Sequence, residues 1–275
     1  MGRRKRPGGS FCTLPGSEIL IMSKIKIAGM EMSLSSHEEA IDLIRHRIST
    51  YIAKEKPDFL VLPEKWVMQR YDENSESLSG IMDMLCDLSG RNDCTIVPGS
   101  FSISRKGKLY NSAPVISAGK IMGWSDKISL YRIEKNEFSS GKSIEVFEAS
   151  GIGFSVAVCY DLDFPYYTKI AIRKGARLLI NPSLIHERFH DMWHIYVTGR
   201  SLESRIPVLS INSSSPPLSG GSVGTVLEEE EGGVMLKKIK AVKSILSYTI
   251  DMDKTVPMIE KRMSEDPGIY SIGDK

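Results

Sequence analysis

The chain has 275 residues, of which 41% are hydrophobic and 25% are charged, and its 36 basic side chains almost balance 34 acidic ones. This composition is typical of a soluble globular protein and lacks the strong positive charge of a nucleic-acid-binding domain. The apolar runs are too short to cross a bilayer. We therefore expect neither a nucleic-acid partner nor a membrane partner.

The N-terminus carries a basic cluster at residues 3–6 but no secretory signal, because the apolar stretch that follows is short and lacks a small-residue cleavage site. We expect residues 1–23 to be a disordered or artefactual tail and residues 24–275 to form a single domain. The four cysteines, at positions 12, 86, 94 and 159, have neither disulfide-framework nor metal-site spacing. Reduced thiols and a cytoplasmic location are the resulting expectation.

The first half of the domain alternates predicted strands and helices. Residues 24–32 alternate in polarity, which predicts a strand, and Ser35 and Ser36 are candidate caps for a helix over residues 37–52. The continuous apolar run at residues 58–62 predicts a strand buried on both faces. The pattern further predicts a helix over residues 75–88 and strands over residues 94–97, 112–117, 144–147 and 154–158.

The second half begins with the same alternation. It predicts a helix from Pro165 to about residue 175, a strand over residues 177–180, a helix over residues 188–205 and a strand over residues 208–212. Three later segments, residues 222–227, 234–240 and 244–251, predict a β meander, and a last helix is predicted over residues 254–263. Alternating strands and helices indicate a layered α/β fold, to which the meander adds a mixed sheet.

Three chemically reactive residues follow apolar segments. Glu64 comes directly after a strand and a proline, at the kind of sheet edge where α/β active sites collect. Cys159 ends an apolar strand just before a turn and a helix, as a nucleophile does in an elbow, and a nearby cation would favour its thiolate. Lys127 is such a cation and would also stabilise an oxyanion. Each residue alone also fits a structural role: a solvated acid, a surface lysine, a buried cysteine.

Together these residues resemble the nitrilase superfamily of carbon–nitrogen hydrolases. The resemblance lies in the order of three motifs, Leu-Pro-Glu64, Asp-Lys127 and Cys159-Tyr-Asp-Leu-Asp-Phe-Pro165. Flanking segments extend it over residues 24–263, namely Tyr110-Asn111, Asn181-Pro182-Ser183, residues 199–204, Gly221-Ser222 and residues 248–251. One departure is Asp163, at a position where the family often carries arginine.

The resemblance implies a four-layer α-β-β-α sandwich, assembled as a homodimer or higher homo-oligomer through the helix after the cysteine. It also implies a reaction without metal or other cofactor. Cys159 would be the nucleophile, Glu64 the general base and Lys127 the oxyanion stabiliser, helped by the backbone N–H of Tyr160. The family's second glutamate matches Glu134 better than Glu137, its alternative here.

The implied substrate is a small amide, hydrolysed through a thioester with release of ammonia. Nitriles and N-carbamoyl compounds are alternatives for the same machinery. Substrate contacts are expected from Tyr160, Tyr110, Ser183 and His186.

Two other functions fit parts of the sequence. His186-Glu187-Arg-Phe-His190 is an H-E-x-x-H string, which in a regular helix would place two zinc ligands on one face and make Glu187 the base of a metallohydrolase. The preceding Asn181-Pro182-Ser183 argues against a regular helix at His186. A catalytically silent binding protein on the same fold is the second alternative, because a fold does not guarantee an activity.

Overall fold

The computed structural model describes residues 23–266, so the predicted tail lies outside the described residues except for Ser23. The strands, in chain order, are β1 (Lys24–Met30), β2 (Phe59–Val61), β3 (Arg70–Asp72), β4 (Thr95–Val97), β5 (Phe101–Arg105), β6 (Lys108–Ser117), β7 (Lys120–Asp126), β8 (Phe147–Ala149), β9 (Ile152–Val156), β10 (Leu178–Pro182), β11 (Val208–Ile211), β12 (Val223–Glu230), β13 (Gly233–Lys240) and β14 (Ile245–Asp251).

The helices are α1 (His37–Leu43), α2 (Ser49–Glu55), α3 (Glu76–Asn92), α4 (Glu134–Glu137), α5 (Pro165–Arg173), α6 (His190–Ser204) and α7 (Met252–Glu265). A π-helical segment, Ile44–Ile48, joins α1 to α2, and 3₁₀ turns cover Cys159–Asp163 and Glu187–Phe189. Among these helices none is long and apolar enough to span a membrane.

The strands form two sheets. The first has the order β14-β1-β2-β4-β6-β5-β3, with β7 paired to β6, and the second has the order β13-β12-β11-β10-β9-β8. Neighbours β1, β2 and β4 are parallel, as are β9, β10 and β11, whereas β14 and β12 pair antiparallel to their neighbours. Both sheets are therefore mixed.

Strand alternation builds the layers. Ile25 and Ile27 of β1 face a core shared by the two sheets, whereas Ala28 and Met30 face a second core with α1 to α3. A third core joins the outer face of the second sheet to α5 and α6 through residues such as Tyr167. The order is helices, sheet, sheet, helices, so the predicted four-layer α-β-β-α sandwich is confirmed.

Local capping sets the helix starts. The Ser36 side chain accepts a hydrogen bond from the Glu39 backbone N–H and the Glu39 carboxylate accepts one from the Ser36 backbone N–H, which is a capping box. The Ser75 side chain caps α3 by accepting a hydrogen bond from the Leu78 backbone N–H at 3.4 Å. The predicted helix over residues 37–52 forms, but with a π-helical turn in its middle.

Several predicted elements need correction. The β meander is wrong, because only β12 and β13 form a hairpin while β14 crosses to the first sheet and pairs with β1. The strand predicted at residues 144–147 forms instead as β8, which starts at Phe147. Strands β3, β5 and β7 were not predicted, because their short, half-polar segments carry a weak alternation signal.

Candidate active site

Three loops bring Glu64, Lys127 and Cys159 together from both sheets. Glu64 follows β2 and Lys127 follows β7 in the first sheet, whereas Cys159 follows β9 in the second. All three are buried, with exposed fractions of 2%, 2% and 7%. The three residues that sequence motifs single out are thus one cluster in space.

Lys127 is the centre of an ion network. Its Nζ lies 2.9 Å from Oε1 of Glu64 and 2.8 Å from Oε2 of Glu134. Both carboxylates are buried beside it, so the lysine is held between two negative charges. Burial alone would lower the pKa of Lys127, but the charges of Glu64, Cys159 and Glu134 outweigh burial and raise it. The charged form of Lys127 is therefore favoured.

Glu134, not Glu137, is the glutamate that reaches this network. Glu134 opens the short helix α4, and its carboxylate also accepts a hydrogen bond from the Tyr131 backbone N–H at 3.0 Å. Burial would raise its pKa, but Lys127 and Lys65 lower it to about 2. Glu137 instead pairs at the surface with Arg70, at 2.6 Å.

Two residues of the network escape sequence reasoning. Asn111 donates from Nδ2 to Glu64 at 2.7 Å and to Glu134 at 3.2 Å, and Lys65 lies 3.1 Å from Glu134. The only sequence signal for these two residues was their position beside residues already singled out: Lys65 follows Glu64, and Asn111 follows Tyr110 on β6. Because neighbouring side chains on a strand point to opposite faces, the Tyr110 side chain points away from the site that Asn111 contacts.

Cys159 adopts a left-handed backbone conformation, with φ of 45°, at the start of its 3₁₀ turn. Side chains other than glycine rarely adopt this conformation, and such strain clusters at functional sites. Burial raises the pKa of the thiol, the facing Glu64 carboxylate raises it further, and Lys127 and the Leu184 backbone N–H oppose them. Lys127 thus favours the thiolate, as expected of a nearby cation, but burial and the Glu64 carboxylate outweigh it.

Asp161 ties the lysine loop to the cysteine turn. Its carboxylate accepts hydrogen bonds from the backbone N–H groups of Ser129 at 2.6 Å, Ile128 at 3.1 Å and Val158 at 3.2 Å. Burial raises its pKa to about 6, against these donors and the charge of Lys127. One side chain thus fixes the spacing between Lys127 and Cys159.

A cavity of about 380 Å³ opens onto Cys159. Its walls include aromatic rings from three segments, Tyr131, Tyr160, Phe189 and Trp193. The Tyr131 and Tyr160 rings pack edge to face, with centroids 4.9 Å apart. The volume is at the lower end of the range for small-molecule sites.

The residues expected to contact substrate divide into two pairs. Tyr160 and His186 line the cavity. Ser183 is fully buried, and its hydroxyl donates to the Ile211 carbonyl at 3.1 Å. Tyr110 is half-buried on β6 with the Arg105 guanidinium 5.6 Å from its ring centroid. Ser183 and Tyr110 are therefore not brought to the cavity.

The H-E-x-x-H string does not form a ligand set. His186 lies before a 3₁₀ turn and His190 begins α6, so the two do not share one regular helix. His194, one turn later, bonds the Gly221 carbonyl oxygen through Nε2 at 2.8 Å. Within residues 23–266, no three His, Cys, Asp or Glu side chains are grouped to hold a metal ion. This geometry does not support the metallohydrolase alternative.

Comparison with known proteins gives a consistent result. A family model described as carbon–nitrogen hydrolase matches residues 22–255. A probable nitrilase of Schizosaccharomyces pombe is 28% identical over 163 residues, which cover 54% of this chain and 56% of that protein. An omega-amidase of Saccharomyces cerevisiae is 25% identical over 217 residues, or 69% of this chain and 74% of that protein.

The fold agrees with this match. The crystal structure of Saccharomyces cerevisiae Nit3, a member of branch 10 of the nitrilase superfamily, superimposes with a TM-score of 0.72 at 20% identity, covering 94% of this chain and 99% of that one. Most of the chain, residues 22–255, matches the family model itself. The chain therefore belongs to the carbon–nitrogen hydrolase family, within the nitrilase superfamily, and is an enzyme of that class.

Proposed function

We propose that this carbon–nitrogen hydrolase is an amidase that cleaves a small amide through a thioester on Cys159. The observation that carries the proposal is the position of the Cys159 thiol, buried at the cavity and facing the Glu64 carboxylate, which Lys127 holds at 2.9 Å. A nucleophile, a base and a cation thus surround one position at the cavity, where the reacting carbon of a substrate can lie.

The raised pKa of Cys159 defines the first step. The resting group is a thiol, so Glu64 takes its proton as the sulfur attacks the amide carbon. A C–S bond forms and the carbonyl oxygen becomes an oxyanion. Lys127 and the backbone N–H of Tyr160 stabilise that oxyanion; the first N–H groups of a helical turn lack partners within it.

The second step breaks the carbon–nitrogen bond. Protonated Glu64 returns its proton to the leaving nitrogen, the oxyanion collapses and ammonia departs, which leaves a thioester. Glu134, ionised beside Lys127, keeps the lysine oriented while the charges change. Glu64 then activates a water that attacks the thioester, and the acid leaves as the thiol re-forms.

An amide is favoured over the alternatives by the omega-amidase among the relatives. Glu64, which faces the thiol, can pass the thiol proton to the leaving nitrogen of such an amide. Nitriles and N-carbamoyl compounds remain the alternatives on the same residues, so the assay includes them.

The test is ammonia release from butanamide, butanenitrile and an N-carbamoyl amino acid by purified protein. We expect the amide to be the fastest substrate, and Cys159→Ala and Glu64→Gln to abolish turnover. Cys86→Ala, which changes a half-buried cysteine of α3 far in sequence from the site, is the matched control and retains activity. Undiminished turnover by Cys159→Ala refutes the mechanism, and a faster nitrile or carbamoyl reaction reassigns the substrate class.

A further inference from the structure

The cavity wall carries charges of both signs beyond the catalytic cluster. Asp163 supplies a carboxylate, and Arg132 and Arg188 supply two guanidinium groups. None of the three has a role in the cleavage steps. They surround the space that the non-reacting part of a substrate must fill.

Oδ1 of the Asp163 carboxylate is buried, and no hydrogen bond reaches it from residues 23–266. Arg200 of α6 lies nearby, but its hydrogen bonds go to other groups: Nε donates to the Leu162 carbonyl at 3.0 Å, Nη1 pairs with Glu203 at 2.7 Å and Nη2 donates to the backbone carbonyl of Asp163 at 3.5 Å. Oδ1 itself is shielded, but Asp163 lines the cavity, so a ligand bound there would lie beside its charge.

Burial makes the charged form of the Asp163 carboxylate costly. Burial raises the pKa of Asp163 to about 6, although Arg200 and Lys127 oppose the shift. A cationic group beside it would favour the ionised form. The charges of Arg200 and Lys127 do not offset the burial, so a cationic ligand in the cavity would stabilise the carboxylate further.

The two arginines present the opposite character. The Arg132 guanidinium lies over the Tyr131 ring, 5.1 Å from its centroid, and that of Arg188 lies over the Phe189 ring at 4.6 Å. Stacking uses the face of each guanidinium and leaves its N–H edge to bind an anion. Neither guanidinium has an acidic partner in the described part of the chain.

We propose that the substrate is an amide that also carries an ammonium group, bound by Asp163, and a carboxylate, bound by Arg132 and Arg188. The side-chain amide of a free α-amino acid has this chemistry. Asp163 is then the residue that determines specificity for the ammonium group. The inference rests on the proposed amidase function and adds the substrate class to it.

Four straight-chain amides separate these requirements. L-Glutamine carries both charges, 4-carbamoylbutanoate lacks the ammonium, 4-aminobutanamide lacks the carboxylate and butanamide lacks both. Affinity is measured by calorimetry with Cys159→Ala, which needs no turnover, and kcat/KM with the wild-type protein. We expect L-glutamine to exceed 4-carbamoylbutanoate at least tenfold in both, the effect of one charge-assisted hydrogen bond.

The variant Asp163→Asn tests the residue. We expect it to reduce the preference for L-glutamine over 4-carbamoylbutanoate at least tenfold, while Asp83→Asn, the same change at an exposed position of α3, leaves the preference intact. The double change Arg132→Met with Arg188→Met reduces the preference for L-glutamine over 4-aminobutanamide by a similar factor.

The outcomes separate the two proposals. An unchanged preference in Asp163→Asn, a wild-type preference for 4-carbamoylbutanoate, or binding of none of the four amides overturns the substrate class. Cleavage of butanamide as fast as the three charged amides also overturns the substrate class, but it leaves the amidase function supported. Selective binding of L-glutamine by Cys159→Ala, with no amide cleaved by the wild type, supports the charge recognition and overturns the amidase.

Discussion

At the scale of single residues, the site is a chain of alternating charges. Lys65, Glu134, Lys127 and Glu64 follow one another at 3.1, 2.8 and 2.9 Å, so two cations balance two carboxylates. Buried ions are tolerated when each has a partner, and removing one partner leaves its neighbours uncompensated. The network is thus both the catalytic apparatus and a structural weak point.

Lys127→Met tests that double role. It leaves Glu64 and Glu134 buried without their shared cation, so we expect a stability loss on the order of 3–5 kcal/mol. The loss of an oxyanion donor should also lower kcat on the order of 10²–10³-fold. Chemical denaturation and ammonia release measure the two effects. Lys135→Met, an exposed lysine of α4, is the control, and an equally mild result for both variants would refute the role of Lys127.

Glu134→Gln tests the ion pair through pH. The folded pKa of Glu134 is about 2 against an ordinary value of 4.5, so its carboxylate stabilises the fold above pH 4.5. That contribution is lost as the pH falls from 4.5 towards 2. The difference in Tm between wild type and Glu134→Gln should therefore narrow over this range.

The control for the pH experiment is Glu137→Gln, which removes a carboxylate from the same helix at the surface. Exposed ion pairs contribute little, so its Tm should follow that of the wild type at each pH. A gap between wild type and Glu134→Gln that stays constant or widens on acidification would contradict the assignment.

The sequence predicts residues best where a local motif carries the chemistry. Glu64, Lys127 and Cys159 each follow a strand within a recognisable sequence motif, and all three meet in the structure. Asn111 was missed because its contact with Glu64 depends on which face of β6 is turned towards the site, and the local sequence does not fix that face.

At the scale of elements, the loop after β2 owes its shape to the loop after β4. The Lys65 backbone N–H donates to the Ser100 carbonyl at 2.9 Å, and the Trp66 indole N–H donates to the Pro98 carbonyl at 2.8 Å. Gly99 lies between these anchors with φ of 78°. The position of Glu64 is thus set from outside its own strand.

Gly99→Ala tests this support. A methyl group at Gly99 would lie 1.8 Å from the Pro63 carbonyl oxygen, next to Glu64, whereas one at Gly107 meets nothing within 4 Å. Both glycines have positive φ, so both changes incur about 1–2 kcal/mol of backbone strain. We expect Gly99→Ala to lose about 1–3 kcal/mol more than Gly107→Ala in urea unfolding, and to lower kcat. Equal losses of unfolding free energy in the two variants would refute the role of Gly99 in supporting the Glu64 loop.

The prediction of helices and strands succeeded where the hydrophobic periodicity extends over many residues. It failed where the pairing of a strand depends on a partner far away in the sequence. The helix from Glu76 to Asn92 can be predicted because the sequence shows a capping serine and apolar side chains at helical spacing. The strand Ile245–Asp251 looks like a third meander strand, but its pairing with β1 is a contact between the two ends of the domain. The local sequence pattern of β14 does not indicate that its partner is β1.

At the scale of the whole molecule, the second sheet presents α5 and α6 to solvent with several large apolar side chains exposed. They are Tyr166 and Ile170 on α5 and Met192, Ile195 and Leu202 on α6. Exposed apolar patches of this kind mark association sites. We propose that this face, on the helix after the cysteine and its neighbour, joins two copies of the chain.

Ile195→Lys tests the association. Its side chain and that of Val242 are equally exposed, at 71%, but Val242 lies beside the turn between β13 and β14. A buried ammonium would oppose association at Ile195, so sedimentation should report a dimer for wild type and Val242→Lys and a monomer for Ile195→Lys. A wild-type monomer, or a dimer in all three, would contradict the proposed face.

The most direct test of the central claim is to trap the acyl group on Cys159. The protein is mixed with p-nitrophenyl acetate, quenched in acid and analysed by intact mass and peptide mapping, with and without hydroxylamine, which cleaves thioesters. The account predicts one acetyl group on Cys159, removed by hydroxylamine and absent from Cys159→Ala. An acetyl group found elsewhere, or amide hydrolysis that persists in Cys159→Ala, would contradict it.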